Sequence, residues 1–494
     1  MLRSEVTMRI IDIDPMIKSR SISEIVLDFG CKSSDRLFFN GYQAWTTSHE
    51  MPPTDTVPPL RPLLRVAGKP WGISKYGDDF FLGRSGKPGC FHGFTYMYRR
   101  SGDIFTLIAS TDETNGYTIF YYDSMMRSLR IVKDAGFTSK YDPDVHIIML
   151  EGTEDEVFDA WFEASGIKCR PAAPLAGYSS WYNRFDKITD ETITADLEGC
   201  STMLQPGDLF QIDDGWQKNV GDWEAHPDKF PRGMRASVED IHDRGYLAGL
   251  WLAPFSAAIS SDLVRNHPDW VLRHGGKPWY AGFNWGGFYG LDIDSPGLRD
   301  HLSGIFDRIF NDWGFDLVKL DFLYGAAPWP TVRGPYMGES RGGRMCRAMR
   351  YLREWCGDGL ILGCGVPLGP AFGVVDYCRI GCDTALDWEG APVMRQIREA
   401  PSTRNALGDI YYRRQLDGRA FLNDADVFFL RKDNVQLSDE VKLTHAHACA
   451  QYGSLFLMSD NMGEYDEEQR SQYRELRRIW KDKDWTNTDF LELI

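Results

Sequence analysis

Two charges, Lys319 and Asp321, stand two positions apart inside the apolar run Phe315-Asp316-Leu317-Val318-Lys319-Leu320-Asp321-Phe322. On a strand, residues at i and i+2 leave the same face, so a cation and a carboxylate would share one surface. A buried carboxylate beside an ammonium stays ionised at neutral pH, because the neighbouring charge lowers its pKa against the desolvation that raises it. Such a carboxylate can act as a nucleophile. Taken alone, a K-x-D is better read as a structural ion pair, so the other polar residues decide. Asp213 and Asp214 precede Gly215-Trp216, and Arg379 precedes Asp383 by four residues. Two acids in opposed surroundings are what glycoside hydrolysis needs: one ionised to attack or stabilise the anomeric carbon, the other protonated to donate to the leaving oxygen. Asp321 beside Lys319 suits the first role. Asp383 is the candidate for the second, although Arg379 would by itself lower its pKa, which leaves its protonation open. Asp213 and Asp214 can accept hydrogen bonds from adjacent sugar hydroxyls. Trp181 and Trp251 supply flat apolar surface. A lone aspartate at a strand end is more often a turn former or helix cap, a reading that stays live for Asp214. It is the set of four acids with Lys, Arg and Trp that argues for a site.

Positioning these residues requires strands that end where they lie. After Pro174 the chain alternates strand-like apolar runs with helical segments. The runs are Tyr178–Trp181, Asp208–Asp213, Tyr246–Leu252, Asp316–Phe322, Leu360–Cys364, Val375–Ile380, Ala420–Asn423 and Ser454–Met458. The clearest helix is Leu298–Trp313, with Leu298, Leu302, Ile305, Phe306, Ile309, Phe310 and Trp313 on one face. Ser295 can cap its start, Pro296 fits the first turn and Gly314 follows its end. Val238–Arg244, Met345–Cys356 and Val441–Ala450 serve similarly. Eight strands alternating with helices predict a (β/α)₈ barrel over 174–460, with a doubly wound open sheet as the alternative. In a barrel the C-terminal strand ends converge on one mouth.

Before the barrel, residues 1–150 read as an antiparallel β domain of the sandwich type, in short runs separated by Gly, Pro, Asn and Asp. Ile104–Ala109 and Tyr117–Tyr122 flank Asn115-Gly116, which predicts a hairpin. Residues 151–173 read as a helical linker opened by a capping box at Thr153-Glu154-Asp155-Glu156 and closed by Pro171 and Pro174. Residues 461–494 read as a helical tail, with a helix over Asp466–Trp480.

Composition narrows the function classes. A chain of 494 residues with 43% hydrophobic and 26% charged residues is an ordinary globular protein of more than one domain. Its net charge of −16 argues against nucleic acid or an anionic membrane as partner. A neutral small molecule fits better. Charges through residues 1–20 argue against a secretory signal, and the longest apolar run, Tyr246–Ser261, is broken by Pro254 and too short to span a membrane. Ten scattered cysteines without a C-x-x-C pair suit a reducing, cytoplasmic setting. In the segment His445-Ala446-His447, residues two apart do not share a helix face, so a metal pair is not expected. Cys378 and Cys382 flank the acid candidate, and Cys382 reads as packing. Asp424 and Asp426 read as structural hydrogen-bonders.

In this order along the chain, G-Y-S-S-W-Y (177–182), F-Q-I-D-D-G-W-Q (210–217), G-D-W (221–223), G-L-W-L-A-P (249–254), L-V-K-L-D-F (317–322), C-R-I-G-C-D (378–383) and N-D-A-D (423–426) resemble the α-galactosidases of glycoside hydrolase family 36, in clan D. The resemblance runs from about Pro174 to Met458, and N-G-Y-Q-A-W (40–45) looks like a further signature in the N-terminal part. It implies a retaining, exo-acting α-galactosidase without a cofactor, acting on a small α-galactoside or oligosaccharide, with Asp321 as nucleophile and Asp383 as acid/base. By the same resemblance Asp213 and Asp214 bind the galactose C4 and C6 hydroxyls, and Lys319 and Arg379 bind others. Trp181, Trp251 and Cys364 line the pocket, and Trp45 reaches over from the β domain. One departure stands out: only 36 residues follow Met458, which leaves little room for the C-terminal β domain that many members carry and puts oligomeric packing and outer substrate contacts in doubt rather than the reaction, with a homo-oligomer kept as an option. The alternatives are an α-N-acetylgalactosaminidase or a transglycosylase on the same scaffold, a magnesium-dependent barrel enzyme using Asp213, Asp214 and Asp321 as ligands, and a non-catalytic sugar-binding protein.

Overall fold

The computed structural model describes residues 7–11, 24–59, 86–134, 146–328, 339–390, 392 and 394–494. Eight parallel strands close into a barrel: β1 (Leu175–Ser179), β2 (Leu209–Ile212), β3 (Leu247–Leu252), β4 (Leu317–Leu320), β5 (Leu360–Gly363), β6 (Tyr377–Arg379), β7 (Leu422–Phe428) and β8 (Leu455–Met458). Each pairs with its neighbour in sequence, and β8 returns to β1 from Leu175 opposite Leu455 to Tyr178 opposite Met458. The period of two along each strand explains the layering. Leu209, Leu317, Leu362, Tyr377 and Leu455 form one buried apolar cluster inside the barrel. Their sequence neighbours Phe210, Val318, Ile361, Cys378 and Phe456 join the outer cluster with the helices. Two residues beyond the inner leucines and tyrosine, the same inward face carries Gln211, Lys319, Cys364 and Arg379. The apolar floor therefore gives way to polar groups at the C-terminal mouth.

The helices follow the expected capping chemistry. Ser295 accepts from the Leu298 amide, Pro296 opens the helix Pro296–Asp307, and Gly314 ends it in the left-handed region at φ 86°. Its last turns, Arg308–Trp313, widen into a π-helix. That turns Phe310 and Trp313 partly outward from the face that buries Leu298, Leu302, Ile305 and Phe306. At the C-terminal end Asp466 and Gln469 cap each other across the first turn of Glu467–Asp482. This helix packs on Asp439–Tyr452, and its Arg477 pairs with Asp208 at 2.6 Å at the foot of β2.

Two antiparallel sheets precede the barrel. One has six strands and holds Arg36–Phe39, Tyr96–Ser101 and Ile104–Ser110; the other has four and holds Cys90–Phe94, Tyr117–Asp123 and Ser128–Asp134. Leu37, Phe39, Met97 and Ile108 of the first share a core with Phe91, Phe120, Leu129 and Ile131 of the second, which makes the pair a sandwich. Phe38, Tyr96, Tyr98 and Leu107 point the other way and pack with Phe158, Trp161 and Phe162 of the helix Glu154–Ser165. That helix starts at the capping box expected of it, the Glu156 carboxylate accepting from the Thr153 amide at 2.9 Å.

Three expectations are corrected. Asn115-Gly116 does not close a hairpin: Ile104–Ser110 pairs with Tyr96–Ser101 and Ile147–Gly152, whereas Tyr117–Asp123 pairs with strands of the other sheet. Both edges of each strand are taken elsewhere, so the turn carries the chain between sheets. The strand expected at Ala420–Asn423 runs Leu422–Phe428, which puts Asp424 and Asp426 inside β7. Finally, β1 ends at Ser179, and Trp181 opens a one-turn helix, Trp181–Arg184, above it.

Candidate active site

One cavity at the barrel mouth is lined by Trp45, Ser179, Trp181, Tyr182, Asp213, Asp214, Trp251, Asn284, Trp285, Lys319, Asp321, Phe322, Arg379, Asp383 and Asp426. Nine of the ten residues singled out from the sequence line it. The tenth, Cys364, lies directly behind, its sulfur accepting from the Trp45 indole at 3.3 Å.

On β2 and its exit, Asp213 is fixed from several sides. Its Oδ2 accepts from Lys319 Nζ at 2.8 Å and Gln211 Nε2 at 2.8 Å, and its Oδ1 accepts from the Asp214 amide at 2.9 Å. Gly249 makes room for this, since a Cβ there would stand 3.2 Å from Gln211 Cγ. Lys319 is therefore the partner of Asp213 rather than of Asp321, as its spacing had suggested. The reason is local: β4 stops at Leu320, so the alternation that would align Lys319 with Asp321 ends before Asp321. Burial opposes the Lys319 charge, but the Asp213 carboxylate outweighs it and holds the ammonium above its ordinary value.

Asp321 instead accepts from the Trp251 indole at 3.1 Å and from the Phe322 amide at 2.8 Å. Phe322 takes a left-handed φ of 52°, an uncommon conformation for a bulky residue that turns the chain sharply after the carboxylate.

Asp214 faces the neighbouring wall. Its Oδ1 accepts from Gln217 at 2.6 Å and its Oδ2 from the Trp285 indole at 2.8 Å. Burial pushes it up to about 6, against the two hydrogen bonds and with help from Asp213 and Asp321. Trp285 comes from an insertion after β3, a three-stranded sheet of Ser256–Ala258, Tyr280–Gly282 and Phe288–Gly290. Nothing in its local sequence marks it as a site residue.

Arg379 at the end of β6 reaches Asp383 Oδ1 at 2.9 Å, Asp424 at 2.8 Å and Asp426 at 2.7 Å. Asp383 faces the open cavity, so 39% of its side chain meets solvent even though protein walls crowd it. Those walls push its carboxyl up to about 6; Arg379 pulls it down, and Asp426 and Asp321 push it further up. The cavity thus holds two carboxylates in contrasting surroundings. Asp321 has donors on both oxygens, and Asp383 stays close to the range where it exchanges its proton.

The β domain closes one side. Trp45 packs edge to face on Phe322, with ring centres 5.2 Å apart. Fully buried Arg413 grips the loop around it, donating to Asn40 Oδ1 at 3.0 Å, the Ala44 carbonyl at 2.7 Å, the Thr46 carbonyl at 2.9 Å and Ser48 Oγ at 2.8 Å. Among the described residues no group of three or more His, Cys, Asp or Glu side chains is arranged to hold a metal ion. No described helix is long and apolar enough to cross a membrane.

Comparison with known proteins finds the same barrel among α-galactosidases. The melibiase family model matches residues 182–326, which span β2, β3 and β4 with Asp213, Asp214 and Asp321. An A-type-blood α-D-galactosamine galactosaminidase of Flavonifractor plautii is 35% identical over 132 residues, 24% of this chain and 12% of that one. α-Galactosidase 1 of Pediococcus pentosaceus is 28% identical over 140 residues, 26% of this chain and 19% of that one. The matched segments thus span less than a fifth of either relative. Over nearly the whole chain, the structure resembles an α-galactosidase from Thermus thermophilus solved with p-nitrophenyl α-D-galactopyranoside: TM-score 0.76, 28% identity, 92% of this chain and 88% of that one. The same Thermus enzyme has been solved with stachyose, matching with a TM-score of 0.76 and 29% identity over 92% of each chain. With the barrel, the β domain before it and these relatives taken together, the chain is similar to the melibiases and to α-galactosidases of known structure.

Proposed function

We propose that the protein is a retaining, exo-acting α-galactosidase that removes terminal non-reducing α-D-galactosyl residues from small galactosides or oligosaccharides. The observation that carries this reading is the contrast between Asp321 and Asp383 across one cavity. Asp321 attacks the anomeric carbon while Asp383 gives its proton to the departing glycosidic oxygen, leaving a covalent galactosyl ester on Asp321. Asp383, now ionised, takes a proton from water as that water displaces Asp321, and α-galactose leaves. The Trp251 indole and the Phe322 amide orient the nucleophile. Asp213 and Asp214 accept hydrogen bonds from the C4 and C6 hydroxyls, Lys319 and the remaining N–H groups of Arg379 donate to others, and Trp45, Trp181, Trp251 and Cys364 shape the wall around the ring. Ten free cysteines, six of them buried, support a reducing, cytoplasmic setting.

A panel of p-nitrophenyl α- and β-glycosides, with proton NMR of the first anomer released, tests the sugar, the linkage and the stereochemistry together. The expected outcome is cleavage of the α-galactoside with α-galactose appearing first. First release of β-galactose would be incompatible with double displacement between Asp321 and Asp383. The Flavonifractor relative is named for α-D-galactosamine, so a second reading is cleavage of an α-galactosaminide, and faster turnover of that 2-amino glycoside than of the α-galactoside in the same panel would favour it.

A further inference from the structure

Strand β7 places two buried carboxylates against a cation that is already paired. The Arg379 guanidinium donates from Nε to Asp424 Oδ2 at 2.8 Å and from Nη1 to Asp383 Oδ1 at 2.9 Å, and its Nη2 lies 2.7 Å from Asp426 Oδ1. The side chains of Asp424 and Asp426 are 0% and 3% exposed, and that of Arg379 is 3% exposed, so bulk solvent screens this group little. Neither acid is free to move away. The Asp426 amide donates to Asp424 Oδ1 at 2.9 Å, the Thr384 amide donates to Asp426 Oδ2 at 2.8 Å, and the Tyr182 hydroxyl donates to the same oxygen at 3.3 Å.

The backbone has been bent to achieve this. Pairing between β7 and β8 slips between Asp424 and Val427, three steps on β7 against two on β8, and Asp426 inside that bulge takes a left-handed φ of 67°. A bulge re-aims a side chain that a regular strand would direct elsewhere. Here it directs a second carboxylate onto Arg379.

An arginine paired with Asp383 alone would favour the ionised carboxylate and so disable a general acid. We propose that Asp424 and Asp426 are positioning residues that occupy Arg379 with counter-charge, so that the arginine can orient Asp383 without stripping it of the proton it must donate. This rests on the acid/base role proposed for Asp383. The charged and titratable groups facing Asp383 are Arg379 from β6, Asp426 from β7, Asp321 and Lys319 from β4, Cys364 after β5, Tyr182 after β1 and Cys382 beside it. Among these, Asp426 pushes the Asp383 carboxyl up and Arg379 pulls it down, which agrees with the proposed division of labour.

The test is the alkaline limb of kcat/KM for methyl α-galactoside, whose poor leaving group needs the proton. Asp383→Ala, assayed on p-nitrophenyl α-galactoside, whose leaving group needs little proton donation, settles the reading beneath the proposal: if Asp383 is the acid, the variant still turns over this substrate and the limb is gone. A limb that survives in Asp383→Ala overturns that acid assignment, and the proposal with it. With the limb assigned, Asp424→Asn and Asp426→Asn should each move it toward lower pH by about one unit, and Arg379→Gln should move it toward higher pH. A side chain that merely held the fold together would not give shifts of opposite sign. Circular dichroism and melting temperature establish which variants are folded, and Asp426→Asn carries the test where Asp424→Asn does not fold. A limb that stays in place, or moves upward, in a folded Asn variant overturns the proposal.

Discussion

At the scale of single residues, Asp321 and Asp383 differ in what surrounds them, and that difference yields separable predictions. Asp321→Gly removes the proposed nucleophile, and turnover should fall by at least about a thousandfold even with a good leaving group. Azide entering the vacated space should displace the aglycone once and give the β-galactosyl azide. Asp383→Ala keeps the nucleophile, so an aryl galactoside that needs little proton donation should still form the intermediate. Azide resolving that intermediate should give the α-galactosyl azide. Product anomers read by NMR check the pair, and the reverse pairing would exchange the two roles. Asp383 acts as an acid only while protonated, so its activity should be full well below about 6 and lost as pH rises through that value. Initial rates against pH on an alkyl galactoside measure this directly. Asp214→Asn weakens a hydroxyl acceptor fixed by Gln217 and Trp285 and should cost about 10- to 100-fold in kcat/KM, the 1.5–3 kcal/mol of a charged hydrogen bond, with the melting temperature little changed. The places of Asp321, Asp383 and the Asp213-Asp214 pair at the barrel mouth were legible in the sequence because each follows a strand-like apolar run. The partner of Lys319 was not, because the K-x-D spacing says nothing about where β4 ends.

At the scale of elements, legibility depended on how far a segment's chemistry agreed with its secondary structure. The first six barrel strands are apolar runs with polar residues at their C-terminal ends, and they are found within two or three residues of their observed bounds. Strand β7 reads Leu-Asn-Asp-Ala-Asp-Val-Phe, and its three polar residues resemble a loop. They lie inside a strand because the Arg413 carbonyl accepts from the Asn423 amide group while Arg379 and backbone amides donate to Asp424 and Asp426, and such tertiary partners leave no local trace. Trp285 was missed for a related reason: it stands on an insertion whose position over the mouth follows from sheet pairing between Tyr280–Gly282 and Phe288–Gly290. That placement predicts the effect of Trp285→Phe, which keeps the ring and removes the N–H donated to Asp214. Losing a donor that favours the ionised form should raise the Asp214 carboxyl further above its present value near 6. At neutral pH more of it would then be protonated and unable to serve as a pure acceptor. KM should rise about tenfold, with the deficit shrinking as pH increases. A deficit that stays constant with pH would mean that only ring packing was lost.

At the scale of the whole molecule, one side of the cavity belongs to the β sandwich, so catalysis depends on how two folding units are held together. Arg413 sits just after the helix Thr403–Tyr412 and is fully buried, and its donors end on backbone and side-chain oxygens of residues 40–48 and on the Ile380 carbonyl at 2.7 Å. Those bonds fix the loop that carries Trp45 and, through Ile380, the turn between Arg379 and Asp383. Asp409, one helical turn earlier, accepts from the Ser48 amide at 2.7 Å and reinforces the same loop. A lysine at 413 keeps the charge but cannot reproduce a planar fork that serves several carbonyls at once. Arg413→Lys should therefore leave buried acceptors unpaired and destabilise the protein by about 2–4 kcal/mol, a loss that chemical denaturation would measure. Trp45→Ala should weaken kcat/KM by removing the wall itself. If Arg413 influences the site through Trp45, its kinetic cost should largely vanish in the Trp45→Ala background, whereas two independent effects would multiply. The stability cost should remain in either background, because the hydrogen bonds that Arg413 gave to residues 40–48 are still lost. Full multiplication of the kinetic losses would instead mean that Arg413 reaches the chemistry through Ile380 and the Asp383 turn, and the β domain would then be holding the barrel rather than shaping the substrate's wall.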